Sequence, residues 1–194
     1  MLGGGQINGG NSTIGRADND FYATDPHTVE LFLNEFHKDN KLEGNILECA
    51  CGQGHLAEVI KTYYPKNIVD GIDLVDRGYG EGNINFLEYN PTKEYDTVIT
   101  NPPFGLVKEF IEKGLEISNR YVIMLCKIQL LEGVKRKELL QTTPLKYVYV
   151  HSKRQSTWKN GEPLHNGKKW STVLCLAWFV WDKTYTGEPI IRWI

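Results

Sequence analysis

Residues 45–57 read NILECACGQGHLA, a short apolar run that leads through a glycine-rich turn into a second apolar stretch. The run 45–49 predicts a buried strand, and the spacing of apolar residues over 56–64 predicts a helix packed on a sheet. Gly52 and Gly54 can adopt positive φ and let a ligand approach the backbone. This stretch therefore predicts the strand–turn–helix unit of an α/β protein, with a ligand at the turn.

A second predicted strand, 67–74, carries an acid at its carboxyl end. Asp73 lies where a carboxylate can accept hydrogen bonds from both hydroxyls of a ribose. Together with the glycine turn, this acid favours a nucleoside-bearing cofactor across the carboxyl edge of a parallel sheet.

Residues 97–104, TVITNPPF, form an apolar strand that runs directly into an Asn-Pro-Pro-aromatic corner. The two prolines stop the strand, because they fix φ and remove two backbone donors. The side-chain oxygen of Asn101 and the carbonyl of Pro102 can then accept hydrogen bonds from an amine, while Phe104 offers a stacking face. The corner suits a planar group that carries an NH₂. A strand-end turn with a buried Phe is the alternative.

The rest of the chain predicts one α/β domain. Helices are expected at 26–36, after the prolines and at 129–140, and strands at 120–126, 146–150 and 172–181. This alternation predicts a parallel sheet covered on both faces. The 194 residues, 41% of them hydrophobic, suit a single domain over 21–194. Residues 1–20, rich in Gly and Asn, predict a flexible lead-in.

Composition argues against a metal site and a membrane span. The five histidines lack H-x-x-x-H and H-E-x-x-H spacing, and the four cysteines lack C-x-x-C spacing, so no metal is expected. The cysteines are expected to be small buried thiols. No apolar run is long enough for a membrane helix and no secretory pattern begins the chain, which predicts a cytoplasmic protein without a membrane partner.

The glycine turn also matches the dinucleotide fingerprint G-x-G-x-x-G/A over 52–57. In that fingerprint the first glycine ends the strand, and the following helix faces a pyrophosphate. Here residues 48–51 intervene, and the carboxylate of Glu48 would repel a pyrophosphate. S-adenosylmethionine, which has no phosphate and a cationic amino-acid end, suits Glu48 better.

The order Leu-Glu-x-Ala-Cys-Gly-x-Gly, strand-end Asp and Asn-Pro-Pro-Phe resembles class I S-adenosylmethionine-dependent methyltransferases, in particular small phage-type or prophage-type DNA adenine-N6 enzymes. The resemblance runs from about Phe21 to Trp181. It implies a Rossmann-like three-layer sandwich with a seven-stranded, mostly parallel sheet whose last strand is antiparallel. It also implies S-adenosyl-L-methionine as cofactor, S-adenosyl-L-homocysteine as product, and the cytoplasm of a bacterial or phage-infected cell.

The same resemblance assigns site residues. Residues 20–26, DFYATDP, are similar to a Phe-Tyr-x-Thr-Pro segment that closes over the methionine end of the cofactor, with Asp25 inserted before the proline. Residues 76–80 and 83–87 are similar to the stretch near the adenine, with Asn85 where relatives often have Asp. The cofactor-binding residues so implied are Phe21, Tyr22, Thr24, Glu48, Cys49, Gly52, Gly54, Asp73, Leu74, Asn85, Phe86 and Asn101. The catalytic residues are Asn101, Pro102, Pro103 and Phe104.

Charge is distributed unevenly, which bears on the partner. Between positions 127 and 169 ten Lys or Arg face three Glu, although the whole chain has a net charge of −2. A basic surface of this kind favours nucleic acid, since phosphate contacts act locally. The segment 152–170 is predicted to be a long basic loop that touches the target, with Lys153, Arg154 and Lys159 on phosphates and Trp158 stacking. An ordinary solvated hairpin is the alternative.

The predicted function is methyl transfer from S-adenosylmethionine to the N6 amino group of adenine in DNA. Three alternatives stay open: guanine-N2 methylation of RNA, glutamine methylation of a protein, and a regulator that binds cofactor and DNA without catalysis. No large target-recognition domain is expected in this chain, so specificity is loose, loop-borne or supplied by a partner. A homodimer is equally open.

Overall fold

The computed structural model describes residues 21–170 and 174–194, so the predicted lead-in over 1–20 lies outside the described residues. The helices of the described part are Pro26–Phe36 (α1), His55–Tyr63 (α2), Val107–Ile117 (α3) and Val134–Thr142 (α4). The strands are Tyr22–Thr24 (β1), Ile46–Glu48 (β2), Val69–Gly71 (β3), Tyr95–Thr100 (β4), Ser118–Lys127 (β5), Leu145–Val150 (β6), Thr157–Lys159 (β7), Leu164–His165 (β8), Lys168–Lys169 (β9), Leu176–Asp182 (β10) and Ile190–Trp193 (β11). Short 3₁₀ helices span Phe86–Glu88 and Ile128–Leu131.

Seven strands form one sheet in the order β11-β6-β10-β5-β4-β2-β3. β10 is antiparallel to both of its neighbours, whereas the other pairs run parallel. The predicted Rossmann-like, seven-stranded and mostly parallel sheet is therefore confirmed. The strand predicted to be last and antiparallel is β10, although β11 follows it in the chain. One strand of this sheet was not predicted: β11 adds a parallel edge strand beside β6.

Helices cover both faces of this sheet and make three layers. On one face, the Phe32 ring of α1 stacks on the Trp178 ring of β10 at 4.7 Å, and α1 and α2 share one hydrophobic cluster with residues of β10. On the other face, Phe110 of α3 and Leu139 of α4 join the second half of the core. Burying large aromatic side chains on both faces supplies much of the hydrophobic stabilisation of such a fold.

The helix predicted at 129–140 is wrong in its first part. The chain instead forms the 3₁₀ turn Ile128–Leu131 and begins α4 at Val134. Gly133 stands between the two with φ of 107°, a backbone conformation outside the helical region that glycine adopts at low cost. Helical spacing of Leu residues cannot reveal such a break.

Three of the four cysteines are buried, as expected, but Cys175 is exposed. Cys175 precedes β10, whose buried residues begin at Leu176. The buried strand therefore begins just after Cys175, although the apolar run in the sequence includes this residue.

The segment 152–170 connects β6 toward β10, as predicted, but it contains paired strands. β7 pairs antiparallel with β1, so that Tyr22 faces Lys159 and Thr24 faces Thr157. β8 and β9 pair with each other. We call the β1 and β7 pair the β1–β7 ribbon.

Parallel pairing brings the carboxyl ends of several strands to one edge of the sheet. Register pairs Glu48 at the end of β2 with Ile99 of β4, and Thr100 at the end of β4 with Met124 of β5. This edge is where ligands of open α/β sheets bind. Among residues 21–170 and 174–194, no helix is both long and apolar enough to cross a membrane.

Candidate active site

A cleft lies at this carboxyl edge of the sheet. The glycine turn, the end of β3, the Asn-Pro-Pro-Phe corner and β1 form its walls. Every predicted cofactor-binding and catalytic residue lines this cleft except Gly54. The lining members are Phe21, Tyr22, Thr24, Glu48, Cys49, Gly52, Asp73, Leu74, Asn85, Phe86, Asn101, Pro102, Pro103 and Phe104.

Glu48 lines the cleft and also makes a hydrogen bond to the backbone of α2. Its side chain is 3% exposed, and Oε2 accepts a hydrogen bond from the backbone N–H of Ala57 at 2.9 Å. The carboxyl thereby satisfies a donor in the first turn of α2. Burial raises the pKa of Glu48 well above its ordinary range, because the charged form loses its hydration. A cation bound in the cleft would favour the ionised form.

The two glycines of the turn have different roles. Gly52 has φ of 55°, and a Cβ there would lie 2.5 Å from the Phe21 ring. Because glycine has no side chain, the Phe21 ring can pack directly against the backbone at this position. Gly54, with φ of 84°, precedes α2 as its N-cap and is covered by the Tyr79 ring. Gly54 therefore shapes the turn from behind the cleft.

Asp73 connects the second strand to the glycine turn. Its Oδ2 accepts from the N–H of Gly52 at 2.8 Å, and its Oδ1 accepts from the N–H of Val75 at 2.9 Å. The side chain is 9% exposed and lines the cleft. Two ionised oxygens offer about four acceptor positions, so these two bonds orient the carboxylate and leave capacity for ligand hydroxyls.

The predicted residues near the adenine form the far wall. Asn85 Oδ1 accepts from the N–H of Leu87 at 3.2 Å and so begins the 3₁₀ turn. Phe86 is 2% exposed and packs on Phe110 with 4.9 Å between ring centroids. Leu74 is 64% exposed at the rim. The amide of Asn85 thus has a local structural partner in addition to a lone pair at the cleft.

Asn101 is held by β1. Its Nδ2 donates to the carbonyl of Tyr22 at 3.1 Å and to Oγ1 of Thr24 at 3.2 Å. Both amide hydrogens are thereby used, so Oδ1, an acceptor, is turned away from β1. The inserted Asp25 leaves this contact intact, because its side chain caps α1 by accepting from the N–H of His27.

Phe104 has two neighbours that the sequence did not indicate. Its ring is nearly parallel to that of Tyr22, at 26° with centroids 6.0 Å apart. The ammonium of Lys127 lies 4.1 Å from the Phe104 centroid, a cation–π distance. Phe104 therefore has a nearly parallel aromatic ring, that of Tyr22, and a positive charge, that of Lys127, next to it.

The four residues predicted to contact nucleic acid do not line this cleft. Lys153 and Arg154 are exposed, whereas Lys159 is half-buried in the β1–β7 ribbon. Trp158 packs edge-on against His55, with ring centroids 5.2 Å apart. This contact attaches the β1–β7 ribbon to the start of α2, directly after the glycine turn. Trp158 therefore lies near the glycine turn.

Two basic residues of the site were missed. The Arg77 guanidinium lies 4.1 Å from the centroid of Phe21 and lines the cleft. Lys127 ends β5 at the same sheet edge as Glu48 and Asn101. Its position directly after a predicted parallel strand was a usable signal, whereas nothing local in the sequence pairs Arg77 with Phe21.

The chemistry available here is acceptor-rich. Among the described residues, the cleft is lined near the glycine turn by the acids Glu48 and Asp73 and by one cation, Arg77. At the corner it is lined by Asn101 and Phe104. In the part of the chain that the structure describes, no three His, Cys, Asp or Glu side chains cluster to hold a metal ion. The cleft is built to accept hydrogen bonds from hydroxyls and amines.

No protein-family model and no curated protein sequence matches this chain. Solved structures do share its fold. A protein from Vibrio vulnificus YJ016, described as a modification subunit of a type I restriction enzyme, is 13% identical with a TM-score of 0.60, over 91% of this chain and 48% of that one. The present chain thus spans about half the length of that subunit.

Two further structures are described as methyltransferases. Magnesium protoporphyrin IX methyltransferase from Synechocystis PCC 6803, with bound SAM, is 13% identical with a TM-score of 0.53, over 81% of this chain and 79% of that one. The 23S rRNA methyltransferase ErmE is 12% identical with a TM-score of 0.53, over 85% of this chain and 71% of that one. At these identities the likeness establishes the fold: this chain has the Rossmann-like fold found in these methyltransferases.

Proposed function

We propose that the protein transfers a methyl group from S-adenosyl-L-methionine to the N6 amino group of adenine in DNA. The observation that carries this proposal is the orientation of Asn101. Because β1 accepts both of its amide hydrogens, its oxygen is left to accept a hydrogen bond from a ligand, and Phe104 lines the same cleft. An acceptor and a ring in this arrangement suit an aromatic base with an exocyclic amine.

The residues of the cleft fit S-adenosylmethionine. Asp73 is held by Gly52 and Val75 with lone pairs to spare for ribose hydroxyls. The acids Glu48 and Asp73 suit a ligand with a positively charged sulfonium and amino group better than one with phosphates. The positive φ of Gly52 allows close approach to the backbone. When bound, S-adenosylmethionine would supply an electrophilic methyl group.

The protein's own part in the reaction is to prepare a poor nucleophile. The lone pair of an aryl amine is delocalised into its ring. Acceptance of the amine hydrogens by Asn101 Oδ1 and the Pro102 carbonyl would favour a pyramidal nitrogen and stabilise the positive charge that develops on it. Phe104 would hold the base by stacking, with the ring of Tyr22 nearly parallel to it. No general base with a shifted pKa is needed.

Nucleic acid is supported as the substrate class by the basic region of the chain. A base inside a duplex must leave the helix to reach such a corner, at a cost of a few kcal/mol. Exposed Lys153 and Arg154 are proposed phosphate contacts, with Lys159 and Trp158 in the adjoining ribbon. The resemblance in fold to a modification subunit supports a partner that supplies specificity.

RNA is the second candidate substrate, with guanine N2 as the target. The corner accepts from any planar amine, and one structure that shares the fold is described as a 23S rRNA methyltransferase. Adenine in DNA is preferred because the order of the motifs resembles the adenine-N6 enzymes.

The test is a methyl-transfer assay with DNA and RNA as separate substrates. Purified protein is incubated with methyl-labelled S-adenosylmethionine and unmethylated duplex DNA, single-stranded DNA or RNA, and the digested nucleosides are identified by mass. N6-methyl-2′-deoxyadenosine from DNA is expected. Methylated guanine from RNA would favour the second candidate, and absence of transfer to every pool would contradict both.

The matched variants are Asn101→Ala and Asn119→Ala. Asn119 is exposed at the amino end of β5, where it donates to Glu94, so it controls for loss of an amide elsewhere. Asn101→Ala is expected to lower turnover by about 10²–10³-fold and to leave cofactor binding by calorimetry nearly unchanged. Full activity of Asn101→Ala would overturn the proposed role of the corner.

A further inference from the structure

A second groove borders the Asn-Pro-Pro-Phe corner and is separate from the cofactor cleft. It lies between the start of α3, the end of β5 and the start of α4. Phe104 lines both this groove and the cofactor cleft. The charged, amide and aromatic residues of this wall are Phe104, Lys108, Glu109, Lys127, Gln129, Lys135 and Arg136. We call the space they line the basic groove.

The two spaces that meet at Phe104 carry opposite charge. Of the residues that the structure describes, four Lys and Arg side chains and one carboxylate, that of Glu109, line the basic groove. The cofactor cleft has two acids against Arg77. Lys127 stands at the junction, because its ammonium lies 4.1 Å from the Phe104 ring centroid. An anion is therefore favoured on one side of the ring and a cation on the other.

The cations of α4 occupy an unfavourable part of their helix. Lys135, Arg136 and Lys137 lie in the first turn of Val134–Thr142, which contains no acid. The helix dipole disfavours positive charge at this end, so local stability does not explain the cluster. Features that break a local rule in this way are found at functional sites.

The turn before α4 brings one of these cations back toward the groove. Gly133 has φ of 107°, and a Cβ at that position would lie 3.1 Å from an Nη atom of Arg136. The Arg136 side chain therefore folds over the turn, while Lys135 and Lys137 remain exposed. Val134 beside them is 89% exposed, so no described element of the protein covers this end of the helix.

We propose that the basic groove holds the sugar–phosphate backbone of the nucleic-acid strand that presents the target base to Phe104. This inference rests on the proposed function and specifies which surface binds the substrate. A base stacked at Phe104 must connect to phosphates just outside the corner, and the groove supplies cations at that place. Lys153 and Arg154, in contrast, line neither the groove nor the cofactor cleft.

The test is equilibrium binding of fluorescently labelled oligonucleotides, as duplex DNA, single-stranded DNA and single-stranded RNA, over a series of salt concentrations. Three double charge reversals are compared with the wild type: Lys135→Glu with Arg136→Glu, Lys153→Glu with Arg154→Glu, and Lys38→Glu with Lys41→Glu. The last pair is exposed after α1 at the opposite edge of the sheet. It controls for the change in net charge.

The groove variant is expected to lose at least tenfold in affinity. The slope of log affinity against log salt concentration should become less steep by about 1.4 for a single strand and about 1.8 for duplex DNA. Two phosphate contacts are lost, and each contributes about 0.7 to the slope for a single strand and about 0.9 for duplex DNA. The control pair should bind like the wild type. Acids in the first turn of a helix are favourable, so thermal unfolding of the groove variant should not occur at a lower temperature, and weak binding could not be attributed to misfolding.

Wild-type affinity and salt dependence in the groove variant, with loss confined to the Lys153 and Arg154 pair, would overturn the groove and leave the proposed function standing. A wild-type protein that binds none of the three nucleic acids, yet still binds S-adenosylmethionine, would overturn the groove together with the proposed substrate class.

Discussion

The amide of Asn101 donates to the hydroxyl of Thr24 across 3.2 Å, although the two residues are 77 positions apart in the chain. A second bond, from the same amide nitrogen to the carbonyl of Tyr22, fixes the group from the same strand. The short strand β1 therefore sets the direction of the acceptor oxygen at the proposed catalytic corner. Thr24 is a positioning residue by this geometry.

Replacing Thr24 with Val should lower turnover and spare the cofactor. The substitution keeps the shape of the side chain but removes the oxygen that accepts from Asn101 Nδ2. Loss of one such hydrogen bond corresponds to about 0.5–1.5 kcal/mol, so kcat should fall by roughly 2- to 10-fold while the Kd for S-adenosylmethionine stays nearly constant. Thr24→Ser keeps the hydroxyl and should restore kcat. Equal activity of the Val and Ser variants would refute the positioning role.

Replacing Asp73 with Asn should act on the cofactor rather than on the chemical step. The carboxylate uses one oxygen for Gly52 and the other for Val75, and an amide can replace only one of these acceptors. The Kd for S-adenosylmethionine measured by calorimetry should rise at least tenfold, with kcat at saturating cofactor largely retained. The variant should also unfold more easily, by about 1–3 kcal/mol, because one backbone donor loses its partner. An unchanged cofactor Kd would remove Asp73 from the proposed site.

Replacing Glu48 with Gln should change how stability responds to pH. Burial raises the pKa of this carboxyl well above 4.5 in the folded protein. Above pH 4.5 the unfolded chain releases a proton that the folded protein still holds, so this group's contribution to stability falls as pH rises, until the folded pKa is passed. The amide introduced by Glu48→Gln does not titrate, and it keeps an oxygen for the N–H of Ala57.

Thermal unfolding of both proteins is measured without cofactor from pH 4 upward. The Tm of Glu48→Gln relative to the wild type should therefore increase with pH. A Tm difference that is constant across pH would contradict a raised pKa for Glu48.

Three glycine-to-alanine variants separate backbone strain from crowding. At Gly54, φ is 84° and a Cβ would lie 2.4 Å from the Tyr79 ring. At Gly78, φ is 80° and a Cβ would have no atom within 4 Å. At Gly105, φ is not in the left-handed region and a Cβ would also have no atom within 4 Å. Gly54→Ala should lower stability most, Gly78→Ala by about 1 kcal/mol from the left-handed backbone alone, and Gly105→Ala least. Equal unfolding temperatures for Gly54→Ala and Gly105→Ala would show that the turn is not constrained.

Much of the cofactor cleft could be predicted from the sequence, because its parts are local. Gly52 takes the positive φ that a turn into a helix requires, and Asp73 and Asn101 stand where predicted parallel strands end. Parallel strands align their carboxyl ends, so these residues had to meet at one edge of the sheet. The break at Gly133 and the edge strand β11 escaped prediction, since apolar spacing alone does not register a turn or a sheet position.

The sequence by itself determined the class of fold, the glycine turn, the acids at the strand ends and the Asn-Pro-Pro-Phe corner, because each depends on residues close together in the chain. Only the tertiary structure decided the direction of the Asn101 oxygen, the attachment of Trp158 to His55 in the cofactor region, and the meeting of Lys127 and Arg136 in one groove beside Phe104. These depend on pairing between distant segments, such as β1 with β7, and no local pattern of residues encodes which distant partner a strand or side chain will meet.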